Sequence, residues 1–192
     1  MLSARNLSKR FGVKRVFDRV DVSVVAGDFL LVTGPNGSGK TTLLRVLAGL
    51  AAPTGGELEL PPRESIGYLG HEPLVYRELT PLENLQLFGR LYRVPERRER
   101  IGMLLERFGL WDVRHDRVGT FSRGMQQRLG LCRVLLHEPS LLVLDEPFNA
   151  LDAAGAELLD ETLTELSARA LVVATHDPER VEHLATDRLA FA

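Results

Sequence analysis

The run Gly34-Pro35-Asn36-Gly37-Ser38-Gly39-Lys40-Thr41 constrains this chain more than any other part of it. It fits the pattern G-x-x-x-x-G-K-[ST] at every fixed position. Glycines at 34, 37 and 39 let backbone N–H groups turn inward on one point. A helix that follows aims its positive end at the same point, so the loop is built to hold an anion. Lys40 is placed to reach the β- and γ-phosphates of a nucleotide, and the Thr41 hydroxyl to bind Mg²⁺. The flanks agree. Phe29 to Thr33 is a nearly all-apolar run of the kind found in a buried sheet strand. From Lys40 to Leu50, the residues Leu43, Leu44, Val46 and Leu47 recur at helical spacing. A chance glycine turn would lack this strand–loop–helix setting.

Composition limits the rest. A chain of 192 residues with 44% hydrophobic and 26% charged residues makes one globular domain with its own core. The net charge of −2 argues against a general nucleic-acid binder, whose surface is strongly basic. Cys132 is the only cysteine, which excludes an internal disulfide and argues against a cysteine zinc site. Of the 24 basic residues only Lys9, Lys14 and Lys40 are lysine, which makes Lys40 conspicuous. No uncharged apolar run approaches the roughly 18 residues of a membrane helix. The N-terminus has no basic segment followed by an apolar core. The expectation is a soluble, cytoplasmic protein that reaches a membrane only as a peripheral partner.

Along the chain, Val20, Val22 and Val24 alternate with polar residues, a half-buried strand ending at Gly27. Short strands are expected at Glu57–Leu60 and Ile66–Leu69. Thr80-Pro81-Leu82-Glu83 combines a capping box with proline at the first helical position. A second helix is expected from Glu96 to Phe108 and a third from near Ser122. Leu141 to Leu144 reads as another buried strand, followed by a helix over about Asp152 to Ala168 and a strand over Leu171–Thr175. The prediction is an α/β fold with a parallel sheet core, an N-terminal antiparallel β region and a helical insert over about 72–139. The core then takes in about 1–71 and 140–192.

A phosphate loop needs an acidic partner for its metal at the end of a neighbouring apolar strand, and Asp145 stands there. The adjacent Glu146 is placed to accept a proton from an attacking water. His176 ends the last apolar strand and joins the candidates as a polar group near a terminal phosphate.

Ser122-Arg123-Gly124-Met125, 23 residues before Asp145, resembles the signature motif of ABC-type ATPases, whose usual form is Leu-Ser-Gly-Gly-Gln. Asp145-Glu146-Pro147 and Asn149-Ala150-Leu151-Asp152 resemble that family's Walker B and D-loop, and Thr175-His176-Asp177 its H-loop. The motifs cover essentially the whole chain in the family's order. The resemblance implies a P-loop NTPase (RecA-like) fold, Mg²⁺-dependent ATP hydrolysis and coupling to a membrane subunit. It implies ATP contacts from Gly34 to Thr42, with Phe11 stacking on adenine. The catalytic groups would be Glu146 and His176, and the metal contacts Thr41, Asp145 and His71. His71 stands where the family has a glutamine, and magnesium prefers oxygen ligands. The signature would serve the ATP of a second ATPase subunit in an ATP-dependent homodimer. Arg123 and Met125 depart from the motif, while Ser122 and Gly124 keep it.

Leu74 to Tyr76 resemble the family groove that receives a helix of the membrane subunit. Arg97 to Arg100 read as a solvated helix face and Trp111 as packing. The segments Ile66–Pro73 and Glu78–Leu85 are similar to the heme exporter ATPase of cytochrome c biogenesis. Ser122 to Arg128 also resembles drug and antibiotic exporters. A non-transport ABC ATPase and an unrelated P-loop kinase fit less well.

Overall fold

The computed structural model describes residues 1–191. Three strands form an antiparallel sheet in the order β2-β1-β4: β1 (Leu2–Phe11), β2 (Lys14–Val24) and β4 (Gly55–Glu59). Five strands form a parallel sheet: β3 (Phe29–Thr33), β5 (Ile66–Leu69), β6 (Leu141–Asp145), β7 (Ala170–Ala174) and β8 (Asp187–Ala190). Their order is β5-β6-β7-β3-β8. The helices are α1 (Lys40–Leu47), α2 (Pro81–Leu91), α3 (Arg97–Arg107), α4 (Arg123–Leu135) and α5 (Ala153–Glu165).

The inner strands β3, β6 and β7 are almost wholly apolar because both faces are covered, while the edge strand β8 is exposed at three of its four residues. Phe29, Leu31, Leu142, Leu144, Leu171 and Val173 face a core shared with α4, α5 and the insert. Leu30, Val32, Leu141, Val143 and Val172 face a second core, shared with α1 and the antiparallel sheet. Alternation along each strand thus decides which layer a side chain joins.

The capping box at α2 forms as its sequence dictates. Thr80 Oγ1 accepts from the Glu83 N–H at 3.2 Å, and Glu83 Oε2 accepts from the Thr80 N–H at 2.9 Å. Arg100 is not the free charge of a solvated face. It donates to the carbonyls of Leu135 and Leu136 near the end of α4 and pairs with Glu138. Arg97 and Arg98 are exposed. Trp111 is exposed rather than packed into a core, with the Arg114 guanidinium 4.0 Å from its ring centroid.

This topology fixes the site. β7 lies between β3 and β6, and all three run in the same direction. Their C-terminal ends therefore bring the 34–41 loop, Asp145-Glu146 and Thr175-His176 to one edge of the sheet, where open α/β sheets bind ligands.

Candidate nucleotide site

A cleft of about 590 Å³ opens at this edge. Asn36, Gly37, Gly39, Lys40, Thr41 and Thr42 line it, with Asp145, Glu146 and His176 opposite. His71 and Phe11 line it as well, while Gly34, Pro35 and Ser38 do not. Phe11 presents its ring, 59% exposed, with Lys9 Nζ 4.9 Å from the centroid.

The loop takes its shape from packing as well as from its own residues. Gly34 has φ 143°, and a Cβ there would lie 2.8 Å from the Cβ and the carbonyl oxygen of Phe191. Gly39 has φ 111°, and its Cβ would lie 2.8 Å from Val16 Cγ1. Both positions need glycine twice over, for backbone conformation and for close approach. Gly34 and Pro35 face a smaller cleft beside Thr175 and His176. The Ser38 hydroxyl is buried without a partner. Lys40 is only 6% exposed, and its ammonium donates to the Gly34 and Pro35 carbonyls at 2.7 and 3.1 Å. The cation is held inside the loop by those two carbonyls.

Asp145 is 1% exposed, and neither carboxylate oxygen has a hydrogen-bond partner in the chain. Burial lifts its carboxyl above the ordinary aspartate range. Thr41 opposes the rise by proximity without a formed hydrogen bond, the Glu146 charge adds to it, and His71 and Lys40 oppose it. Two orphaned oxygens on a buried acid beside Thr41 suit a hard divalent cation, which takes oxygen ligands and few of them from protein. Thr41 and Asp145 therefore fit Mg²⁺; a His71 nitrogen suits it poorly.

The shift has a consequence for stability. A carboxyl whose folded pKa exceeds its unfolded value binds protons more tightly when folded. Stability then falls as pH rises from 3.8 through the raised value. Without metal or nucleotide, Asp145→Asn should raise the melting temperature near neutral pH. The gain should shrink as pH is lowered toward 3.8, because protonation of the wild-type carboxyl relieves the same buried charge. Melts at the two pH values in chelator check this, and an equal gain at both would contradict it.

Glu146 and His176 form a pair. Glu146 Oε2 lies 2.7 Å from His176 Nδ1 and also accepts the His176 backbone N–H at 3.2 Å. With the carboxylate as acceptor, Nδ1 carries the proton. Glu146 itself has φ 51°, a left-handed conformation that few side chains adopt without imposed surroundings.

The signature residues stand elsewhere. None of Ser122, Arg123, Gly124 and Met125 lines the 590 Å³ cleft. Ser122 caps α4, its Oγ accepting from the Met125 N–H at 3.2 Å. Met125 packs against the core, and Arg123 is exposed on a neighbouring cleft with Gln126 and Ala150. His71 and Asn149 line both clefts. Asp152 caps α5, its Oδ1 accepting from the Gly155 N–H at 2.9 Å. Lys14, Arg15 and Val16 also line the nucleotide cleft, and the motifs do not point to them; Asn149, the first residue of the D-loop resemblance, lines it as well. Only the nearness of Lys14 and Arg15 to Phe11 across a tight turn carries any signal.

Residues 17–149 match the family described as ABC transporter. The chain belongs to the ABC transporter family. The uncharacterized ABC transporter ATP-binding protein YdbJ of Bacillus subtilis (strain 168) is 36% identical over 96% of this chain. The chain spans 64% of YdbJ's length. The lantibiotic transport ATP-binding protein SrtF of Streptococcus pyogenes is 34% identical over 96% of the chain and 84% of its own length. The cytochrome c biogenesis ATP-binding export protein CcmA of Rhizobium meliloti (strain 1021) is 38% identical, covering 92% and 91%. The ATP-binding cassette MJ0796, solved as a dimer in a post-hydrolysis state with ADP and Pi, superposes with a TM-score of 0.89. It is 27% identical, with 100% of this chain and 94% of that one covered. The expected fold class, a P-loop NTPase with a parallel sheet, an antiparallel sheet and helices, is the observed one.

Proposed function

We propose that this chain is the ATP-binding and ATP-hydrolysing subunit of an ABC transporter, acting through a separate membrane subunit at the inner face of the cell membrane. One observation carries the reading. A single cleft holds the glycine loop with Lys40, the orphaned acid Asp145 and the Glu146–His176 pair. Among the described residues no helix is long and apolar enough to cross a membrane.

The residues divide the chemistry. Loop N–H groups and Lys40 bind the phosphates, which lets Lys40 exchange its two carbonyls for phosphate oxygens. Phe11 offers a stacking face to the base. Thr41 and Asp145 hold Mg²⁺, which when bound neutralises phosphate charge. Glu146 takes the proton of the attacking water while His176 holds its carboxylate in place. The Nε2 side of His176 is free to meet the terminal phosphate.

For the cargo, heme export for cytochrome c maturation is the better supported reading. Gly70-His71 and the segment Glu78–Leu85 carry the resemblance, and the similarity to CcmA spans nearly the full length of both chains. Antibiotic export is the second reading, supported by Ser122–Arg128 and the similarity to SrtF. Restored c-type cytochrome formation in a strain lacking its own heme-export ATPase supports the first.

The ATPase reading is tested on the purified chain. Lys40→Ala should weaken ATP binding by about tenfold or more, since a charge-assisted contact contributes about 1.5–3 kcal/mol. Equilibrium titration with ATP measures it, and unchanged affinity would reject the loop as the phosphate site.

A further inference from the structure

Glu146 is joined to the signature helix by a short bridge. The segment from Glu146 to Ala150 has left-handed, non-glycine residues at both ends, with φ 51° and 64°. Such conformations persist only where the surroundings impose them. At one end the Glu146 N–H donates to the Ala174 carbonyl of β7 at 2.8 Å. At the other, the Ala150 carbonyl oxygen sits 2.6 Å from where a Cβ on Gly124 would be, so α4 and the bridge touch backbone to backbone. Between them Gln127, a buried amide on α4, donates from Nε2 to the Pro147 carbonyl at 3.1 Å. Among the described residues this is the one hydrogen bond that carbonyl receives. Pro147 has a fixed φ, so holding its carbonyl holds the peptide adjoining Glu146. Gln127 does not line the nucleotide cleft and has no other part in the chemistry above.

We propose that Gln127 is a positioning residue for Glu146: from α4, through Pro147, it sets where the general-base carboxylate stands. The helix that begins with the signature therefore reports its own position to the hydrolytic group. This rests on the reading of Glu146 as the proton acceptor.

The test uses the whole chain. Gln127→Met keeps the volume and removes the donor; Gln127→Glu keeps the shape and turns an acceptor toward the Pro147 carbonyl, and serves if methionine does not fold. Displacement of a catalytic group by a fraction of an ångström to 1 Å costs about 10- to 100-fold in rate. The expected result is that fall in kcat, with KM and the equilibrium affinity for ATP within about twofold of wild type. In a Glu146→Gln background the same change should cost nothing further, because it acts only through that carboxylate. An unchanged kcat overturns the proposal, as does a loss that tracks ATP binding or a full additional loss in the Glu146→Gln background. If Glu146→Gln alone keeps full turnover, the general-base reading has failed instead, and that arm shows it separately.

Discussion

Glu146→Gln is expected to reduce ATP turnover by about 10²- to 10⁴-fold while leaving ATP binding in place. Glutamine keeps the length and shape of the side chain, and its carbonyl oxygen still accepts from His176 Nδ1. The 2.7 Å contact is thus preserved while proton acceptance is lost. The phosphate loop, with Lys40 and the glycines, is on another strand end and is untouched. Lys40→Ala should show the opposite pattern, with binding weakened first. Steady-state turnover beside equilibrium binding separates the two. Full turnover in the Glu146→Gln protein would remove Glu146 from the role.

Much of this site was legible because its residues lie at strand ends with strong local patterns. Phe29–Thr33 and Leu141–Asp145 appear as strands to within a residue, since buried parallel strands are uninterrupted apolar runs. Helix boundaries came one to three residues long, as at Leu50 against Leu47 and Ala168 against Glu165, because side-chain spacing says little about where hydrogen bonding stops. β1 was not legible. Leu2, Ala4 and Leu7 point inward, but the register shifts between Ala4 and Leu7, where Asn6 has φ 51°. That irregularity breaks the alternation a strand is read by. β8 is four residues long and exposed at three of them, so it carries no hydrophobic pattern. The part of the cleft supplied across space by Val16 depends on contacts that no spacing encodes. Gly124 is a mixed case. Its place in the signature was evident, but the Ala150 carbonyl that excludes a Cβ was visible only in the fold.

The Glu146→Gln protein should move from monomer to dimer when ATP is added, and Ser122→Arg should abolish the shift. The argument begins from the separation of the two motifs. Within one chain the glycine loop lines the nucleotide cleft, while none of Ser122, Arg123 and Gly124 does and Arg123 lines the neighbouring one, so a signature can meet a γ-phosphate only if another copy supplies one of them. A two-fold axis satisfies both sites at once, each loop facing the other chain's α4 N-terminus. The α4 N–H groups at that end favour negative charge, and ATP bound to the loop presents it. On the proposed reading, removal of the γ-phosphate would take away the shared anion and let the pair part, the step that would turn chemistry into motion in a membrane subunit. Blocking hydrolysis with Glu146→Gln should therefore accumulate the closed pair. Ser122→Arg puts a long side chain where close approach is needed and removes a helix cap worth about 1 kcal/mol. Its melting curve must accompany the measurement, to show that loss of pairing is not loss of folding. Light scattering at saturating ATP is the deciding measurement. A strictly monomeric Glu146→Gln protein at high concentration would exclude the homodimer and direct the search to a second, different ATPase subunit.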